Sequence, residues 1–149
     1  MPYAEPWEYE LRFPRDPRAP WIARTTLRAV LDAHGLDELA DRAELLTSEL
    51  ATNSVRHTKG PASVRLRWAH PVLRVSVSDS SPVFPMEFPA PDGDAEGGRG
   101  LVILELIADQ WGGCCPDETL FGVGGKTIWF ELRAADDGSP PPAVAALAA

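Results

Sequence analysis

The sequence predicts an α+β fold, a two-layer sandwich in which three main helices lie on one face of a mixed, mostly antiparallel sheet. Two observations carry that expectation. Four short segments alternate apolar and polar residues at every step, the period of a strand with one face on a core, and three longer ones repeat apolar residues every three or four positions, the period of a helix. Their order along the chain is strand, helix, helix, hairpin, loop, helix, strand, which is the order of such a sandwich.

WEYELRF, residues 7–13, is the first alternating segment and the first strand. Pro14, Pro17 and Pro20 break the chain after it, and a helix then runs from about Pro20 to His34 with Ala23, Leu27, Val30 and Leu31 inward and Gly35 as its stop. A second helix spans about Asp37 to Thr58. Along it Leu39, Ala43, Leu46, Leu50, Asn53 and His57 step by 4, 3, 4, 3 and 4, one continuous stripe. ASVRLRWA and VLRVSVSD alternate around an AHPV turn and read as a hairpin, with Val64, Leu66 and Trp68 facing one way and then Leu73, Val75 and Val77. Residues 82–99 are too rich in Pro and Gly for a long regular element and are expected as a mobile loop. From Gly100 a helical period returns through Leu101, Leu104, Ala108 and Trp111, with Gly112-Gly113 as its end. KTIWFELR supplies the last strand, with Ile128, Phe130 and Leu132 on one side; Trp111 and Trp129 read as core. The expected domain is residues 7–133, between a flexible N-terminus (1–6) and a small-residue, Pro-rich tail (134–149) that reads as disordered.

The totals narrow the function classes. A chain of 149 residues suits one domain with a single core. Fourteen basic residues against 22 acidic ones give a formal net charge of -8, which lacks the basic character that phosphate-backbone binding draws on, so nucleic acid is not an expected partner. No stretch approaches the roughly 18 apolar residues of a membrane span, and the first 20 residues lack the order of a secretory signal, so a cytoplasmic protein is expected. Cys114 and Cys115 are adjacent, whereas disulfide and zinc sites need separated, convergent thiols. His34, His57 and His70 fall on different elements without metal-ligand spacing.

Several residues sit where packing alone would not put them. Glu49 and Asn53, four apart on the second helix, share a face; Asn53 lies within the apolar stripe and Glu49 at its edge. Burying an unpaired amide costs about 1–3 kcal/mol and an unpaired carboxylate more, so an inward pair calls for a cation, water or ligand. Mg²⁺ suits such a pair because it keeps several waters and needs only one or two protein oxygens. The bland alternative is a solvent-facing Glu49 and an Asn53 bonded to backbone. Asp79 ends an alternating strand just before a Ser-Pro turn, where a carboxylate can meet a ligand or merely start the turn. GGRGL, residues 97–101, sets glycines before a helix, where unpaired backbone N–H groups and the positive dipole end favour phosphate. GGKT at 124–127 is not a P-loop: the glycine that motif needs is Leu120, and a strand follows where a helix should.

Taken in order, E-x-x-x-N on a helix, D-x-S-P after a strand, G-x-G-L opening a helix and G-K-T at a final strand resemble the GHKL ATPase domain, the Bergerat nucleotide-binding fold of histidine kinases, gyrase-type enzymes and chaperones. Within that group the chain looks like the stand-alone anti-sigma-factor serine kinases and their actinobacterial relatives, over about residues 7–133. The resemblance implies ATP and Mg²⁺ as cofactors, Glu49 as general base and Asn53 as the Mg²⁺ ligand. It implies a nucleotide-binding set of Asn53, His57, Asp79, Ser81, Gly98, Arg99, Gly100, Leu101 and Thr127. In that set Asp79 bonds the adenine amino group, Gly98 and Gly100 lie at the triphosphate, Arg99 helps hold the γ-phosphate, and Thr127 supports adenine recognition. The partners it implies are a sigma factor and a STAS-type antagonist phosphorylated on serine, with a homodimer permitted. Ser81, followed by Pro82, stands where many relatives carry the first glycine of D-x-G-x-G, which stiffens the pocket entrance. The alternative is a non-catalytic, partner-sequestering module of the same fold.

Overall fold

Alternation in WEYELRF produces an edge strand in the computed structural model, which describes residues 5–57, 60–79, 102–114 and 125–135. This strand, β1 (Trp7–Phe13), buries Phe13 and half-buries Trp7 and Leu11 while Tyr9 stays exposed. Helix α1 (Ala19–Ala33) starts with Pro20 in its first turn, where the missing N–H costs nothing, and buries Ala19, Ala23, Leu27 and Leu31. It ends as Gly35 predicts. Gly35 takes φ 75°, its N–H reaches the Asp32 carbonyl at 3.2 Å, and Leu36 N–H reaches the Leu31 carbonyl at 2.8 Å, so the last carbonyls are satisfied as the chain reverses.

A 3₁₀ turn (Asp37–Leu39) leads directly into α2 (Ala40–His57). The predicted stripe is buried at Leu39, Ala43, Leu46, Leu50 and Asn53. A second row, Thr47, Ala51 and Ser54, is buried beside it, so α2 is covered over a wider face than the single stripe indicated.

The hairpin forms as read: β2 (Ala62–Ala69) and β3 (Val72–Asp79) pair antiparallel with Ala69 opposite Val72. A helical stretch, α3, follows over residues 102–107, then β4 (Gln110–Cys114) and β5 (Lys126–Arg133). Among the described residues five strands form one sheet in the order β1-β2-β3-β5-β4. Every pairing among the described residues is antiparallel, where the sequence reading allowed a mixed sheet. One sheet face carries Val64, Leu66, Trp68, Leu73, Val75, Val77, Ile128, Phe130 and Leu132, all buried in the core with Leu27, Leu31, Leu46 and Leu50 of the helices. The other face is polar, with Arg65 and Arg67 paired to Glu8, and Arg74 to Glu131.

Two expectations are corrected. The third helix does not run to Trp111: Gln110–Cys114 is a strand, and Gly112 and Gly113 lie within it rather than ending a helix. Gly112 is there because it packs flat under Trp129, whose Cζ2 would stand 2.6 Å from any Cβ. Trp129 is not core either. It lies on the polar face with the Arg74 guanidinium 4.0 Å from its ring centroid, whereas Trp111 packs partly buried against the core. The expected loop at 82–99, the N-terminal residues 1–4 and the tail beyond 135 lie outside the described residues.

Candidate functional site

Helix α2 carries Glu49 and Asn53 one turn apart, so both project from the same side. Asn53 is buried, with 7% of its surface exposed, and Glu49 is half-buried at the stripe's edge. Ser54 follows Asn53 and is rotated about 100° around the axis, toward the sheet. Its hydroxyl donates to Asp79 Oδ2 at 2.6 Å, tying the helix to the last residue of β3.

Asp79 lies directly across the sheet from Lys126, the first residue of β5. Strand parity sends both side chains to the helix-covered face, since Val77 and Ile128, two residues away on their strands, are core. Lys126 Nζ donates to Asp79 Oδ1 at 2.9 Å and to Oδ2 at 2.8 Å. Their side chains are 4% and 1% exposed, so this is a dry ion pair. Opposite charge at contact, supplemented by the serine hydroxyl, is what lets two such groups remain in the interior. Removing either partner would leave the other charge buried alone.

Thr127 is on the opposite face. Its Oγ1 lies 2.8 Å from Ser78 Oγ, and the two hydroxyls form a pair behind the sheet while Asp79 and Lys126 meet in front of it. The structure therefore brings Asn53, Ser54, Asp79 and Lys126 into one region and separates Thr127 from it. His57 is the last residue of α2, and its side chain lies outside the described residues, as do Ser81, Gly98, Arg99, Gly100 and Leu101. Sequence reasoning missed Ser54 and Lys126. For Lys126 a signal was present, its parity with Ile128, Phe130 and Leu132; for Ser54 there was none, because the row it shares with Thr47 and Ala51 shows only once α2 is packed.

Residues 13–112 match the family model described as "Histidine kinase-like ATPase domain". The chain belongs to that family. The match takes in Glu49, Asn53, Asp79 and the glycines at 98 and 100, and stops before Lys126 and Thr127. No curated protein matches the chain. Members of this ATPase family act with ATP and Mg²⁺, and the described residues fit that pair unequally. At the cation end, Asn53 offers a buried side-chain oxygen of the sort Mg²⁺ accepts alongside its waters, and no group of three or more His, Cys, Asp or Glu gathers among the described residues to hold a metal by protein ligands alone. Asp79, which the resemblance would set at the adenine, does not present an open carboxylate: Lys126 holds both oxygens and Ser54 one of them. No helix among the described residues is long and apolar enough to cross a membrane.

Proposed function

We propose that the chain is an ATP- and Mg²⁺-dependent regulatory serine-protein kinase of the anti-sigma type, holding a sigma factor and phosphorylating a serine of a STAS-type antagonist. The observation that carries this reading is the α2 pair, a half-buried Glu49 one turn ahead of a buried Asn53, inside a segment that matches the ATPase family. Asn53 would hold Mg²⁺ through its side-chain oxygen. When bound, Mg·ATP supplies a γ-phosphoryl group whose charge the cation offsets. Glu49 accepts the proton of the incoming serine hydroxyl, and the helix fixes its position relative to Asn53 without a search for geometry. Partner engagement is supported by apolar side chains left at the surface of the helices: Trp21 is 58% exposed and lines, with Ser48, Thr52 and Val55, a cavity of about 380 Å³ between α1 and α2.

A second reading, a module that sequesters its partner without transferring phosphate, is favoured by the engaged state of Asp79. Calorimetry with Mg·ATP, followed by labelling of STAS-domain proteins from γ-labelled nucleotide, separates the two. The kinase reading expects Glu49→Ala to keep nucleotide affinity within about threefold while transfer falls roughly 10²- to 10⁴-fold. It expects Asn53→Ala to weaken the Mg²⁺-dependent part of binding about tenfold or more. Labelling by Glu49→Ala at the wild-type rate would remove Glu49 as the base, and binding without any labelling would favour the sequestering module.

A further inference from the structure

We propose that Lys126 sets the base selectivity of this site. Its ammonium takes the place on Asp79 that the exocyclic amino group of adenine would take, so the chain does not select a 6-amino purine. The inference rests on the nucleotide-binding reading above and adds to it a residue that lies beyond the family match and to which the sequence pattern assigns no role.

The chemistry follows from what each group offers. A carboxylate recognises an amino group by accepting its N–H, and an ammonium presents the same donor with a full charge. Lys126 Nζ bridges both oxygens of Asp79 at 2.9 and 2.8 Å, and Ser54 adds a third donor at 2.6 Å on Oδ2. A hydrogen bond to an ionised partner is roughly twice as strong as a neutral one, and here both partners are ionised. The neutral amino group of a base would have to displace that contact in a dry interior, where an ammonium moved off its carboxylate has no water to take its place. Lys126 also holds a standing advantage in concentration. It is carried on the strand paired with Asp79, so its effective concentration at the carboxylate is on the order of millimolar or more, whereas a nucleotide must arrive from solution. What remains for a ligand is the phosphate and cation end of the site, which is common to all purine nucleoside triphosphates.

A purely structural ion pair would move stability alone, so the test reads selectivity. The probes are Mg·ATP and Mg·ITP, which differ by an amino group or an oxygen at ring position 6, titrated by calorimetry into the full chain and into Lys126→Ala. The wild type should bind ITP as tightly as ATP within about threefold, or tighter. Lys126→Ala should bind ATP about tenfold more tightly than the wild type and ITP no more tightly, so that a preference for the amino group emerges. If Lys126→Ala gives no cooperative melt, Lys126→Gln, which keeps length without charge, carries the same comparison with a smaller gain. A wild type that already favours ATP over ITP by about tenfold or more overturns the proposal and leaves nucleotide binding standing, as does a folded Lys126 variant with no gain for ATP. Failure of both proteins to take up either triphosphate at millimolar concentration overturns the proposal and the nucleotide reading together.

Discussion

Two buried hydroxyls on α2 show how much depends on a single partner. Ser54 donates to Asp79 at 2.6 Å, whereas Thr47, wholly buried seven residues earlier, has no hydrogen-bond partner for Oγ1 among the described residues. Removing the first leaves a buried carboxylate one donor short, so Ser54→Ala should lower unfolding stability by about 1–3 kcal/mol. Removing the second deletes a desolvated group that gains nothing in return, and valine keeps its shape and β-branching, so Thr47→Val should raise stability by about 1 kcal/mol. Urea unfolding of both variants checks the pair; a stabilised Ser54→Ala or a destabilised Thr47→Val would contradict the assigned partners. At this scale the sequence was half legible. Asn53 stood out because an amide interrupts a row of leucines and alanines, while Ser54 did not because a helical serine is unremarkable until the strand it touches is known. Lys126 enters the sequence reading only as the middle of G-K-T, rejected as a P-loop and kept as one motif of the family resemblance, although its parity with Ile128 already turns it inward.

Elements whose period is long and unbroken were read correctly, and the one misread element shows where period alone fails. Leu101, Leu104, Ala108 and Trp111 keep a helical stride, yet α3 is described only to residue 107 and Trp111 lies on β4 opposite Phe130. Phe130 faces the core, so Trp111 also faces it; an inward strand position fell by chance on the next step of the helix row. Gly112 then separates the two descriptions, because on a strand its missing side chain leaves room for Trp129. Gly112→Ala would set a Cβ 2.6 Å from Cζ2 and 2.9 Å from Cε2 of that ring, which Arg74 also contacts, 4.0 Å from the centroid. The expected cost is about 1–3 kcal/mol, the usual range for overpacking. In a Trp129→Ala background the added methyl meets no ring and most of that cost should vanish, a coupling of at least about 0.5 kcal/mol in a double-mutant cycle. Additive effects would mean that β4 does not lie against Trp129 as described.

The whole molecule brings Asp79 and Lys126 together through its strand order. Because β5 returns between β3 and β4, the end of the hairpin and the start of the last strand become neighbours under α2, although 47 residues separate them in sequence. Alternation alone identifies both strands but not their adjacency, which is why the four-residue region of the site could not be assembled before the sheet was. The same order also brings the residues just after β5 back onto the hairpin. Strand periodicity stops at Arg133, the boundary the sequence suggested, yet Ala134 is buried and its N–H reaches the Pro71 carbonyl at 2.8 Å, closing the last strand onto the hairpin turn. Ala135 N–H adds a longer contact, 3.4 Å, to Glu38 ahead of α2. Two truncations differing by these residues therefore should not behave alike. A chain cut after Arg133 loses a backbone hydrogen bond and a buried methyl, together about 1–2 kcal/mol, relative to one cut after Ala135. For a domain of this size that corresponds to a melting temperature lower by roughly 3–10 °C. Parallel thermal melts of the two truncated chains measure the difference, and coincident midpoints would show that the fold closes at Arg133 and that the Pro71 contact carries no stability.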